Sequence, residues 1–189
     1  MRVETVRSER LELVWLSPQL IEALLEGQRE ETARLGGFAI AAAFPDEHDR
    51  RFLALRLRQT KEDPDRGPWY VRAIVLPGEQ REMIGHIGFH GPPGVNSRRD
   101  PEAVEVGYTI FPDHRRRGFA TEAVRGLIAA ASAQGVRCFI ASVGPENEPS
   151  LAIMRRLGFV QVGRHWDDED GEELEFVLDG RTGEAGTAS

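Results

Sequence analysis

The sequence predicts a mixed α+β fold: a mostly antiparallel central sheet of about seven strands flanked by about four helices. Three observations carry this. Strand-like runs follow one another at 69-WYVRAIVL-76, 82-EMIGHIGFH-90 and 103-AVEVGYTIF-111. After Pro112 the apolar spacing switches to a helical period, with Ala120, Ala123/Val124, Leu127/Ile128 and Ala131 on one stripe. Near the end, 159-FVQVGRHW-166 and 173-ELEFVLD-179 flank Asp170-Gly171, a hairpin signal.

Taken in order, 8-SERLELVWL-16 reads as a first strand. Ser17-Pro18 is an N-cap and first-turn pair, and it opens a helix over 18-PQLIEALLEGQREE-31 that 36-GGFAIAAAFP-45 breaks. A second helix runs from about Glu47 to Lys61, with Phe52, Leu55 and Gln59 on one face. The three central runs form an antiparallel meander, with 77-PGEQ-80 as its first turn and 91-GPPGVNSRRDP-101 as a loop. A helix to about Gly135, a strand at 136–143, a helix at 148–157 closed by Gly158 and the last hairpin complete the chain. The β-α-β crossover should make its two strands parallel.

Residues 1–180 read as one domain and 181-RTGEAGTAS-189 as a frayed tail. At 40% hydrophobic and 29% charged residues the chain can fold around a core. No apolar run reaches membrane-spanning length and the first residues lack a secretory pattern, so the expected location is cytoplasmic, with no membrane partner. Cys138, the single cysteine, excludes an internal disulfide and a cysteine-rich metal site. The stretch 167-DDEDGEELE-175 holds seven acids and no base, which accounts for the whole net charge of −7. That balance argues against a nucleic-acid partner.

The chemistry concentrates in 115-RRRGFA-120, between a strand and a helix. The free N–H groups of a helix's first turn carry partial positive charge and make an anion site. Gly118 lets a phosphate approach the backbone, Ala120 keeps the next position small, and Arg115, Arg116 and Arg117 add charge at the mouth. A pyrophosphate suits such a site. A plain basic rim is the competing reading, and a nucleotide is another candidate ligand. No G-K-[ST] follows the loop and no G-x-G-x-x-G follows a strand, which removes a P-loop and a dinucleotide fold.

The pattern Arg115-x-x-Gly118-x-Ala120, its extension Thr121-Glu122-Ala123, the approach 104-VEVGYTIFPDHRRRG-118 and the later 147-NEPSLAIMRRLGF-159 resemble the GCN5-related N-acetyltransferases (GNAT). The opening 8-SERLELVWL-16 and 84-IGHIGFHG-91 narrow the resemblance to the RimJ/RimL-like branch. It implies an acyltransferase that uses acetyl-CoA as co-substrate, with no metal, and a primary amine as acceptor: a protein N-terminal α-amine or a small-molecule amine, attacking directly in a ternary complex. It also implies a splayed parallel strand pair that forms the acyl-CoA slot. The cofactor-binding residues it implies are Thr109, Ile110 and Phe111 for the pantetheine arm, Arg115, Arg116, Arg117, Gly118, Phe119, Ala120 and Thr121 for the diphosphate, and Asn147 and Ser150.

For proton removal the resemblance favours Glu105, with His86 as rival and His114 and His165 weaker. An exposed strand carboxylate is the structural alternative for Glu105. Many members have a tyrosine seven residues after the motif asparagine, where this chain has Met154; Ser150 is then the candidate donor to the departing thiolate. Asn147 serves equally as an N-cap with Ser150 at N3. The missing tyrosine also keeps a non-catalytic acyl-CoA-binding regulator or scaffold in view. The acidic run near the last hairpin suits a cationic acceptor, or is a solvated turn. A homodimer is compatible with this reading.

Overall fold

The computed structural model describes residues 1–167 and 171–180. Asp170 of the expected hairpin turn, residues 168–169 of the acidic run and the tail 181–189 lie outside the described residues. The described residues form nine strands and six α-helices, a mixed α+β fold, and no helix among them is long and apolar enough to cross a membrane. They group into two compact units: Met1–Gly88 with Tyr108–Leu127, and Phe89–Gly107 with the chain from Ile128 onward.

In the first unit, β1 (Val6–Arg7) pairs antiparallel with β2 (Glu12–Trp15). Strand β2 pairs antiparallel with β4 (Arg72–Leu76), and β4 with β5 (Glu82–Phe89). The two-residue β3 (Ala39–Ile40) lies parallel on β5. The expected first strand starts only at Glu12, because the Ser8 N–H closes a turn onto the Leu11 carbonyl (2.9 Å).

The expected helix over 18–31 divides in two. Helix α1 (Pro18–Leu25) opens at Ser17, whose Oγ accepts the Leu20 N–H at 3.3 Å. Gly27 then turns left-handed (φ 71°), and α2 (Arg29–Gly36) starts anew. Helix α3 (Glu47–Glu62) opens on a reciprocal capping box: the Asp49 N–H donates to Asp46 Oδ1 (2.9 Å) and the Asp46 N–H donates to Asp49 Oδ2 (3.1 Å). Trp69 and Tyr70, expected in a strand, lie in the one-turn α4 (Gly67–Tyr70). Leu20, Ile21 and Leu24 of α1 and Leu53 of α3 pack with Leu16, Val71, Ala73, Val75 and Met83 to form this unit's core.

Strand β6 (Ala103–Ile110) contributes its last three residues to the first unit and the others to the second. Helix α5 (Phe119–Ser132) likewise belongs to the first unit up to Leu127.

In the second unit β6 pairs parallel with β7 (Cys138–Val143), as the crossover predicts. The ladder joins Ala103–Glu105 to Cys138–Ile140. Strand β9 (Gly171–Asp179) pairs antiparallel with β7 and with β8 (Val160–Asp167). Helix α6 (Glu148–Leu157) ends at Gly158, left-handed at φ 83°. Cys138 is buried with Ala103 and Ile140, a packing role.

Candidate active site

In the first unit the chain leaves β6, makes a short 3₁₀ turn over Pro112–His114 and enters α5 through the arginine-glycine loop. The Glu122 N–H donates to the Gly118 carbonyl (3.1 Å), the first helical bond of α5, so Gly118 is its N-cap. Two residues of the loop are left-handed, Arg116 (φ 61°) and Gly118 (φ 80°). For glycine that conformation is free of the Cβ penalty; for arginine it is uncommon.

The loop's side chains divide. Arg115 is turned back, its Nε donating to the Ile110 carbonyl at 2.9 Å. Arg116 and Arg117 are exposed. Phe119 and Thr121 are buried, so what they can offer an anion is main-chain N–H. Ala120 is half-buried.

Of the expected pantetheine contacts, the Phe111 N–H already donates to the Ile84 carbonyl (2.8 Å). Thr109 passes so close to β5 that a Cβ on Gly85 would lie 2.1 Å from the Thr109 carbonyl oxygen. Only glycine fits at 85, and that contact fixes the course of this end of β6.

Sequence reasoning missed what holds the loop. Ser8 Oγ and the Arg10 N–H both donate to Glu122 Oε1 at 2.7 Å, and Arg10 Nε donates to Oε2 at 2.7 Å. Burial raises the Glu122 pKa, but the bonds from Ser8 and Arg10 outweigh it and hold the carboxyl below its ordinary value. Both partners sit in stretches singled out from the sequence, 8-SERLELVWL-16 and Thr121-Glu122-Ala123. Their pairing across more than a hundred residues is tertiary and has no local signal.

His86, the rival base, is also in this unit and is buried. Its Nε2 stands 3.3 Å from Asp49 Oδ1 and its ring stacks on Phe52 at 5.2 Å. Both contacts come from α3. His114 faces Glu82 at 3.5 Å.

In the second unit Glu105 is 2% exposed, which removes the exposed-carboxylate alternative. Its Oε1 accepts from Ser142 Oγ and its Oε2 from the Ser97 N–H, both at 2.6 Å, and His90 Nδ1 stands 3.5 Å from Oε2. Ser97 Oγ and Arg98 Nη1 reach Glu175 at 3.0 and 3.1 Å. The loop at 91–102 is therefore pinned through two buried carboxylates. Of the acidic run, Glu172 pairs with Arg164 (3.0 Å), and Glu173 faces His165 (3.5 Å).

Asn147 takes the cap position: its Oδ1 accepts the Ser150 N–H at 3.2 Å. Ser150 is thereby fixed in the first turn of α6. Met154, at the position where the resemblance implies a tyrosine in many members, is 0% exposed, a core residue.

The acetyltransferase (GNAT) domain profile matches residues 10–160, which span both units. The uncharacterized N-acetyltransferase YoaA of Bacillus subtilis (strain 168) is 35% identical over 86 residues, 45% of this chain and 46% of that protein. The uncharacterized N-acetyltransferase p20 of Bacillus licheniformis is 33% identical over 110 residues, 57% and 59% of the two chains. The chain thus spans about half the length of the curated relatives it matches. Among solved structures, a GNAT-family acetyltransferase from Bacillus anthracis superposes with a TM-score of 0.61 at 20% identity, over 94% of this chain and 99% of that one. RimL, a ribosomal L7/L12 α-N-protein acetyltransferase solved with coenzyme A, gives 0.62 at 16% identity over 93% and 98%. These last two are likenesses of fold. With the profile match across most of its length, the chain belongs to the acetyltransferase (GNAT) domain family.

Proposed function

We propose that this protein is an acetyl-CoA-dependent N-acetyltransferase acting on a primary amine. One observation carries it: a strand-to-helix loop with left-handed Arg116 and Gly118, and Gly118 as N-cap of α5. The donor set suits a diphosphate. It consists of main-chain N–H groups at the positive end of a helix dipole, with no Cβ at Gly118 and exposed Arg116 and Arg117 at the rim. Thr109–Phe111 are assigned to the pantetheine arm, with the Phe111 N–H and the Ile110 carbonyl already engaged by Ile84 and Arg115.

Acetyl transfer forms a C–N bond and breaks the thioester C–S bond. The acceptor's ammonium first loses a proton, which frees the lone pair that attacks, and the nitrogen loses a second as the amide forms; one of the two ends on the leaving sulfur and the other in solvent. Glu105 is assigned to the first proton loss, acting through water. Ser150 is assigned to the leaving sulfur, as a hydrogen-bond donor to the thiolate. The acceptor is a cationic primary amine, either a protein N-terminal α-amine or a small molecule.

A second reading, an acyl-CoA-binding protein without turnover, draws on two features. Both Glu105 oxygens are engaged by protein donors, and Met154 stands buried at the family's tyrosine position. Calorimetric titration with acetyl-CoA and a thiol-release assay over a panel of amines separate the readings. Binding with turnover of at least one amine is expected. Binding without turnover gives the second reading, and no binding removes both.

A further inference from the structure

We propose that Arg10 is a positioning residue of the diphosphate loop, locking its N–H groups in place through a clasp with Glu122. The proposal rests on the acyl-CoA reading of that loop.

Arg10 meets the loop and the first turn of α5 at three points. Its Nε donates to Glu122 Oε2 (2.7 Å) and its Nη1 to the Arg117 carbonyl (3.2 Å). Its guanidinium carbon stands 4.8 Å from the centre of the Phe119 ring. Its Nη2 is the nearest atom to the place a Cβ on Gly118 would take, at 3.5 Å. One planar guanidinium thus spans Arg117, Gly118, Phe119 and Glu122.

The loop needs such a hold. Arg116, next to Arg117, is left-handed, and an unfavourable backbone conformation persists only where its surroundings over-determine it. The Arg117 carbonyl is the group Arg10 grips. Glu122 is in turn fixed by Ser8 Oγ and the Arg10 N–H, so the clasp has a rigid base. A guanidinium can fork between a carboxylate and a carbonyl, whereas a lysine ammonium is a single point charge on a flexible stem. Arg10 therefore acts by geometry, beyond the charge it adds to the rim.

Glu122 makes the two roles separable. It is a negative charge in the first turn beside an anion site. If only charge mattered, Glu122→Gln would tighten CoA binding. If the clasp orders the loop, the same change weakens it.

The test is calorimetric titration with CoA, which needs no acceptor, alongside thermal melts of each variant. Wild-type protein that binds no CoA removes the acyl-CoA reading and this proposal together. With wild-type binding in hand, Arg10→Gln and Arg10→Lys are each expected to weaken CoA about tenfold, the worth of one charge-assisted bond. Glu122→Gln is expected to weaken it as well, and the Arg10→Gln/Glu122→Gln double variant to bind no worse than the weaker single variant. A variant with a lowered midpoint is titrated well below that midpoint. Unchanged or tighter binding in Glu122→Gln, wild-type binding in Arg10→Gln or Arg10→Lys, or fully additive losses in the double variant would each overturn the proposal while leaving the acyl-CoA reading standing.

Discussion

Ser142 Oγ donates a 2.6 Å hydrogen bond to Glu105 Oε1, across the parallel pair formed by β6 and β7. With the Ser97 N–H on Oε2, the buried carboxylate is held at both oxygens. It is therefore a fixed point for the 91–102 loop as well as the assigned base. Glu105→Gln keeps the size but offers one acceptor oxygen for two donors. If Glu105 accepts the amine proton, turnover in this variant falls about a hundredfold or more, the usual worth of a general base, while acetyl-CoA affinity is essentially unchanged. Steady-state kinetics with calorimetry check this. Intact turnover at pH 7 would leave Glu105 as a structural pin alone. Ser142→Ala keeps the carboxylate and removes one buried donor, and should cost about 1–2 kcal/mol in urea unfolding.

Gly118 is required for its backbone as much as for its space. At φ 80° a side chain is strained, and the nearest atom to an added Cβ is Arg10 Nη2 at 3.5 Å, an ordinary contact. Gly118→Ala should thus cost about 1–2 kcal/mol of stability from the left-handed penalty. Gly118→Asn should cost less, because asparagine visits that region more readily. Gly118→Val adds a branched side chain where a phosphate would approach and should abolish acetyl-CoA binding. Wild-type affinity in Gly118→Val would refute the loop assignment.

Much of this was legible where a signal is local. Ser17-Pro18 marked the start of α1, Gly158 the end of α6, and the V-E-V-G-Y run a strand. The family match over residues 10–160 agrees with the motifs that suggested it. What escaped was set by tertiary partners. Two-residue strands such as Val6–Arg7 and Ala39–Ile40 have no period to detect, and raise the expected seven strands to nine among the described residues. The helix expected over 18–31 breaks at Gly27, whose left-handed φ of 71° has no signal in the helical run around it. Alternation around Glu105 fits a half-exposed strand equally well, and only Ser97 and Ser142 explain how a carboxylate is buried there. Arg115, the motif arginine, bonds the Ile110 carbonyl, whereas Arg10 reaches the loop from a distant stretch of chain.

Arg72 is 1% exposed and carries its charge into the first unit with main-chain carbonyls as partners. Its Nη1 donates to Glu4 (2.8 Å) and to Leu13 (3.4 Å), and its Nη2 donates to the Arg2 carbonyl. Burial brings the guanidinium pKa down to about 10. Removing residues 1–4 takes away two acceptors and leaves the cation buried. The expected cost is about 1–3 kcal/mol in urea unfolding. In an Arg72→Met background the same truncation should cost distinctly less. Equal costs in the two backgrounds would show that Arg72 does not tie down the N-terminal segment.

Asp49 joins the start of α3 to His86: its Oδ2 accepts the Asp46 N–H and its Oδ1 stands 3.3 Å from His86 Nε2. Burial raises the Asp49 pKa, but the bonds from His86 and Asp46 outweigh it and hold the carboxyl below its ordinary value. A carboxyl with a lower pKa when folded contributes stability above its unfolded value, about 3.9, and loses it as pH falls through the folded one. Thermal melts from neutral pH into the acid range should show that loss near and below about pH 4. Asp49→Asn should be less stable at neutral pH by about 1 kcal/mol and should lack this part of the acid dependence. An unchanged acid slope in Asp49→Asn would remove Asp49 as its source. The same variant also tests the rival base. Without the Asp49 carboxylate His86 loses the partner that orients its ring, so a His86 base predicts a fall in turnover. Turnover preserved in Asp49→Asn but lost in Glu105→Gln would place the proton acceptor at Glu105.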